Sequence, residues 1–205
     1  MKTLVRTVIA LLMLALTCAA GAGQRVIILP IEGDQVIYEF VGQFNNTPTT
    51  SQQFGYLSKV KGLDSIFSAT PENEISAELT FVTNATTDRV IANGPFRIVN
   101  RTGTTTIYLN SSPADFTNPA TFSQGIAIQT SSYQQQVVLN TLTNSFVTVH
   151  TNVITATTPF SLNGNTYRLG WRGASFRTTY SGQSNTPGAV PSGWFGGSAV
   201  GIGRD

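Results

Sequence analysis

Asn163-Gly164 sits within a stretch where apolar and polar residues alternate on both sides. Both residues tolerate the positive φ of a type I′ turn, which makes the pair a strong local sign of a β-hairpin. The expected hairpin spans residues 146–180, with one arm at 146–154 and the other at 166–172. Alternation on both arms predicts one buried face and one wet face. The same theme of alternating strand and polar turn runs through the upstream chain. A chain so patterned, with almost no stretch that could hold two helical turns, folds as β-sheet.

The first 23 residues are set apart from this pattern. A short basic start, Met1 to Arg6, leads into an apolar run from Thr7 to Leu16 and a small-residue exit, Cys18-Ala19-Ala20-Gly21-Ala22-Gly23. That is the three-part layout of a secretory signal peptide, too short for a membrane span. Small residues should precede a lipidated cysteine, and Leu16-Thr17 do not fit. Lys2 and Arg6 leave with this leader, so ten basic and ten acidic residues remain of the 12 and 10 in the whole chain. A neutral chain lacks the basic footprint of a nucleic-acid or anionic-membrane binder. Cys18 is the single cysteine, so the exported chain has no disulfide, cysteine nucleophile or thiolate metal site. The expected location is secreted or periplasmic, with no membrane span after cleavage.

Residues 35–44 read as a strand with Val36, Tyr38, Phe40 and Phe44 on one face. Residues 54–60 form the next. In 75–81, Ile75, Ala77, Leu79 and Phe81 alternate with Ser76, Glu78 and Thr80 as in a half-buried strand. Segments 89–92 and 96–100 flank Asn93-Gly94-Pro95, either a turn or a bulge in one bent strand. Arg101-Thr102-Gly103 reads as a turn into 104–110. Pro113 and Pro119 make 111–123 a loop with a helical turn near Ala114-Asp115-Phe116. Strands at 125–130 and 133–142 then lead to the hairpin. The expected fold is all-β, a single antiparallel up-and-down barrel of about eight strands, with a β-sandwich as the alternative. Residues 24–180 make the barrel domain. Residues 181–205, rich in glycine and carrying Trp194-Phe195, make a tail packed on it.

Period-two sorting puts Phe96 and Ile98 inward and Arg97 and Arg101 outward. It likewise puts Arg168 and Arg172 outward, as a rim of exposed charges. His150, the one histidine, falls with Thr148 and Asn152 on the wet face, opposite Val147, Val149 and Val153. No metal-ligand constellation is present. Glu74 and Glu78 would lie roughly 13 Å apart along a strand, too far for a glycosidase pair. Gly196-Gly197-Ser198-Ala199-Val200 lacks the final glycine of a nucleophile elbow. No catalytic set, metal or cofactor is expected. The inward aromatics Tyr38, Phe40, Phe81, Phe96, Tyr167 and Trp171 are the candidate ligand-binding residues, since an eight-stranded barrel either fills itself or holds one small molecule.

Ile107-Tyr108-Leu109, the Asp115-Phe116…Pro119…Phe122…Gly125 stretch and Phe160-Ser161-Leu162-Asn163-Gly164…Leu169-Gly170 with Phe176-Arg177-Thr178 resemble a set of uncharacterised exported bacterial proteins. The resemblance covers about the last two thirds of the exported chain. It implies export and a β fold, and no activity. More loosely, the meander is similar to the dirigent and allene oxide cyclase barrels, from which no functional residue carries over. The expected function is an exported, non-catalytic barrel that binds a small, mainly apolar ligand or serves in the cell envelope or matrix. A cofactor-free cyclase or isomerase using Tyr38, Tyr167 or an arginine is one alternative. A glycan-binding surface built on Tyr180, Trp194 and Phe195 is another.

Overall fold

The computed structural model describes residues 25–30, 35–185 and 192–201. The expected leader, residues 1–23, lies outside them. The described residues form β1 (Val26–Leu29), β2 (Val36–Asn46), β3 (Thr50–Val60), β4 (Leu79–Asn93), β5 (Phe96–Leu109), a 3₁₀ turn (Pro119–Ser123), β6 (Ile126–Asn140), β7 (Ser145–Thr157), β8 (Phe160–Leu162), β9 (Asn165–Leu169), β10 (Ser175–Ser184) and β11 (Ser192–Gly201). Eight strands close into an antiparallel barrel in the order β10-β11-β2-β3-β4-β5-β6-β7. The expected barrel is therefore the fold, and the sandwich is set aside. Closure pairs every wall strand on both sides and leaves no edge.

Asn163 (φ 49°) and Gly164 (φ 79°) do turn the chain with positive φ, but the hairpin they close is smaller than expected. It joins β8 to β9, with Leu162 opposite Asn165. The 146–154 arm belongs to β7, which pairs with β6 and β10. β9 pairs instead with β1, in parallel. This three-stranded sheet lies over one end of the barrel. Leu29, Phe160, Leu162 and Leu169 from it join the main core with Ile37, Leu79, Ile128, Ile154 and Phe176 from the wall. The amide of Gln129 in β6 donates to the Leu169 carbonyl at 2.9 Å and fastens the sheet down.

Several local readings shift. Gly94 (φ 56°) makes Asn93-Gly94-Pro95 a turn, with Asn93 opposite Phe96. Arg101-Thr102-Gly103 is not a turn but the interior of β5. β4 starts at Leu79, so Ile75 is not on a strand face and stands 59% exposed. The loop's helical turn falls at Pro119–Ser123 and buries Phe122 against Phe54 on the outside of β3. The glycine-rich stretch is not laid on the barrel: β11 is a wall strand, between β10 and β2.

Glycine in the wall makes room for rings. Gly42 and Gly55 face each other on β2 and β3. A Cβ on Gly42 would meet the Phe195 ring at 2.8 Å, and one on Gly55 would meet the Phe81 ring at 3.0 Å. Small residues opposite large ones fill a narrow barrel without strain. β11 works the same way: its glycines flank Phe195, which is buried, while the next residue, Trp194, is 58% exposed.

Candidate functional site

β6 and β7 alternate cleanly, and polar residues fill much of their inner face. On β7, Thr148, His150 and Asn152 are buried at 1%, 4% and 1% exposure, while Val147, Val149 and Val153 face solvent. On β6, Ser131, Tyr133 and Gln135 are buried. The expectation of a wet His150 and inward valines is thus reversed. β5 is reversed as well. Phe96 is 41% exposed, and Arg101, expected outside, is buried inside the barrel at 9% exposure. Arg97 turns back on the β4–β5 turn, donating to the carbonyls of Gly94 and Phe96.

Tyr180 on β10 is the hub of this inner polar cluster. Its hydroxyl donates to Gln53 Oε1 at 2.9 Å and accepts from Gln135 Nε2 at 2.8 Å. His150 Nε2 lies 3.0 Å from the same oxygen. With the hydroxyl proton given to Gln53, the remaining contact assigns the proton of His150 to Nε2. Those three bonds use the full capacity of the hydroxyl. The Thr148 hydroxyl also lies beside the Tyr180 hydroxyl and favours its ionised form, but it falls outside good hydrogen-bond geometry. Tyr133 stacks flat on the His150 ring, centroids 4.4 Å apart.

Burial, then the Arg101 charge, holds the His150 imidazole down to about 3. Burial pushes the hydroxyls of Tyr38, Tyr133 and Tyr180 up from their ordinary value. At neutral pH the imidazole and phenols are therefore all uncharged. Arg101 is the charge in their midst. Burial lowers its affinity for a proton, but a guanidinium stays charged in a protein. Nε meets Thr87 Oγ1 at 3.3 Å and one Nη meets Gln135 Oε1 at 3.4 Å, both long contacts to neutral groups.

Two small cavities flank the hub. One, of about 30 Å³, is lined by Tyr38, Phe40, Phe81, His150, Tyr180 and Phe195 among others. That is room for a water molecule or two, not for a ligand. The other, of about 60 Å³, lies toward the end where β2–β3, β4–β5 and β6–β7 turn, opposite the capping sheet. Arg101, Ser51, Thr148 and Gln135 line its polar side, and Phe44, Val99, Val137, Leu139 and Phe146 its apolar side.

Of the six expected ligand residues, the fold brings Tyr38, Phe40 and Phe81 together inside the barrel, around the smaller cavity. Phe96 lies on the outer wall, beside a groove it shares with Val138 and Trp194. Tyr167 is on β9, and Tyr167 and Trp171 pack half-buried against the main core from outside the barrel wall. Of the three aromatics expected at a glycan surface, Tyr180 and Phe195 are buried at 5% and 6% exposure, and only Trp194 is exposed. Sequence reasoning missed Arg101, Gln53, Gln135 and Ser51. The available sign was the run Ser131 to Gln136 in a strand with few apolar residues: with polar residues on both faces, some had to point inward. Among the described residues no three His, Cys, Asp or Glu side chains converge.

No protein-family model, curated protein or solved structure matches the chain. Fold and site together define a closed eight-stranded β-barrel with a filled, polar-centred interior, one capped end and one end carrying a small cavity.

Proposed function

We propose that the protein is an exported, non-catalytic β-barrel that binds a small, mainly apolar ligand at the end opposite the three-stranded sheet. The observation that carries this reading is the cavity of about 60 Å³ there, with a ring of Phe44, Val99, Val137, Leu139 and Phe146 around a polar floor. The apolar part of a ligand would sit on the ring, since the centre of the barrel is occupied by its own side chains. Export is supported by the three-part layout of residues 1–23. The outer wall supports an aqueous setting: Ser132, Gln134 and Gln136 on β6 and Arg177, Thr179, Ser181 and Gln183 on β10 all face solvent, where a lipid-facing barrel carries an apolar band.

A cyclase or isomerase in the interior is less well supported. A wholly enclosed substrate needs a pocket of typically ~300 Å³ or larger, and neither inner cavity encloses one; the ligand proposed above is only partly enclosed. A general base works best with a pKa near the operating pH, and His150 is held at about 3. A glycan site keeps one specific support, the exposed Trp194 in the outer groove with Phe96, and a Trp194→Ala variant on a sugar array would test it.

The reading is tested by a thermal-shift and native-mass survey of lipids, phenolics and sugars. A true ligand at about 100 times its Kd adds about 2.7 kcal/mol to the folded state. The expected result is a shift with amphiphilic or apolar compounds that Leu139→Asp, at the rim, abolishes. No shift with any of these classes, or a shift untouched by Leu139→Asp, contradicts it.

A further inference from the structure

We propose that the end of the barrel opposite the three-stranded sheet binds the carboxylate head of a small amphiphile, with Arg101 as its counter-charge. This rests on the reading above that the ligand site is this end, and it adds the chemistry of the head group.

Arg101 is nine-tenths buried, yet among the described residues no acidic side chain pairs with it. No aspartate or glutamate lines the cavity, and the groups that act on its charge are the uncharged hydroxyls of Tyr180 and Tyr133. Its two hydrogen bonds, at 3.3 and 3.4 Å, are long and go to a hydroxyl and an amide. A buried cation held this way is costly to the fold, because neutral partners replace only part of its hydration. Proteins carry such groups where an opposite charge arrives from outside.

The groups around the guanidinium suit an anion. Ser51 and Thr148 are 3% and 1% exposed, line the same cavity, and their hydroxyls have no hydrogen-bond partner. Asn46 also lines it, with an unpartnered side-chain oxygen. An amide flip there would offer a third donor. Two hydroxyls and a planar guanidinium, whose two present bonds are long and whose Nη2 has no bond among the described residues, make a donor set for one carboxylate, which Arg binds best through two parallel bonds. A metal cation is disfavoured by the same guanidinium. The cavity volume of about 60 Å³ holds a few water-sized groups, the scale of a head group rather than of a whole ligand. The rest of the molecule must leave across Phe44, Val99, Val137, Leu139 and Phe146, so it must be apolar.

Isothermal titration of the purified protein with octanoate, octanol, octyl sulfate and acetate tests this. Octanoate is expected to bind about tenfold or more tightly than octanol, which lacks the charge, and than acetate, which lacks the tail. Arg101→Met is expected to remove the octanoate preference and leave octanol binding in place. Ser51→Ala with Thr148→Val should weaken octanoate by a smaller factor. If octanol binds as well as octanoate, or if Arg101→Met leaves the preference intact, the head-group assignment fails while the apolar site stands. If octyl sulfate binds tighter than octanoate, the site takes a tetrahedral oxyanion instead, and the carboxylate assignment fails. If none of the four binds, the site itself is wrong. The comparison among ligands needs no variant, so a misfolded Arg101→Met leaves the test intact.

Discussion

The two ends of the barrel are built on different terms. At the capped end Leu29, Ile37, Leu79, Ile128, Ile154 and Phe176 are each at most 2% exposed and touch one another across wall and sheet. Toward the other end, inward positions of the wall strands hold Gln53, Arg101, Gln135, Thr148 and Tyr180 beside a few apolar side chains. Area burial favours the first arrangement at about 25 cal/mol per Å². The second gains little from burial and leaves hydroxyls and a cation under-bonded. One end therefore stabilises the fold, and the other holds polar groups that the fold alone does not call for.

Substitutions can break or sharpen that contrast. The largest effect is expected at the capped end. Phe176→Ala, which empties a ring packed edge-on against Tyr38 at 5.8 Å, should cost about 4 kcal/mol in chemical denaturation. A loss under about 1 kcal/mol would mean this end does not carry the stability.

Acid comes next. His150 takes a proton near pH 6.5 in the unfolded chain but only at about 3 in the fold. Between those values the unfolded state binds the extra proton, so stability falls as pH falls. The slope reaches about 1.4 kcal/mol per pH unit, and the contribution is fully present above about 6.5. His150→Gln should flatten that part of a stability-versus-pH curve. An unchanged slope in the variant would assign the acid sensitivity elsewhere.

At the opposite end the sign reverses. Without ligand, Arg101→Met should raise stability by about 1–2 kcal/mol, because it removes a buried charge that has no acidic partner among the described residues. A clear loss would show that Arg101 is structural glue. The smallest effect belongs to the outer wall: Val149→Thr, at 37% exposure, should stay within about 0.5 kcal/mol in the same assay.

The barrel was legible from strand spacing, and so was the Asn163-Gly164 turn, because both rest on local chemistry. The partner of β7 was not. Nothing local tells the arm at 145–157 that β8 and β9 will pair with each other and leave β10 to close on it. Sidedness failed for a physical reason. On β7 both faces offer a plausible buried set, valines on one and Thr148, His150 and Asn152 on the other. Burial preference alone chooses the valines. The fold chooses the polar set, since His150 and Tyr180 satisfy each other between the paired strands β7 and β10, a contact 30 residues apart that no periodicity reveals. The same error moved Arg101 to the surface and with it the most informative residue of the site. Tyr38, Phe40 and Phe81 were placed correctly, because β2 and the start of β4 carry apolar side chains on the inner face.

The most direct test of this inside-out polarity is the ring ¹⁵N NMR spectrum of His150, the chain's one histidine, from pH 5 to 8. A neutral ring protonated at Nε2, with shifts that stay flat across the range, is the expected result. A titration with a midpoint near 6.5, the value of a free imidazole, would put His150 in water and overturn the arrangement of the whole inner face.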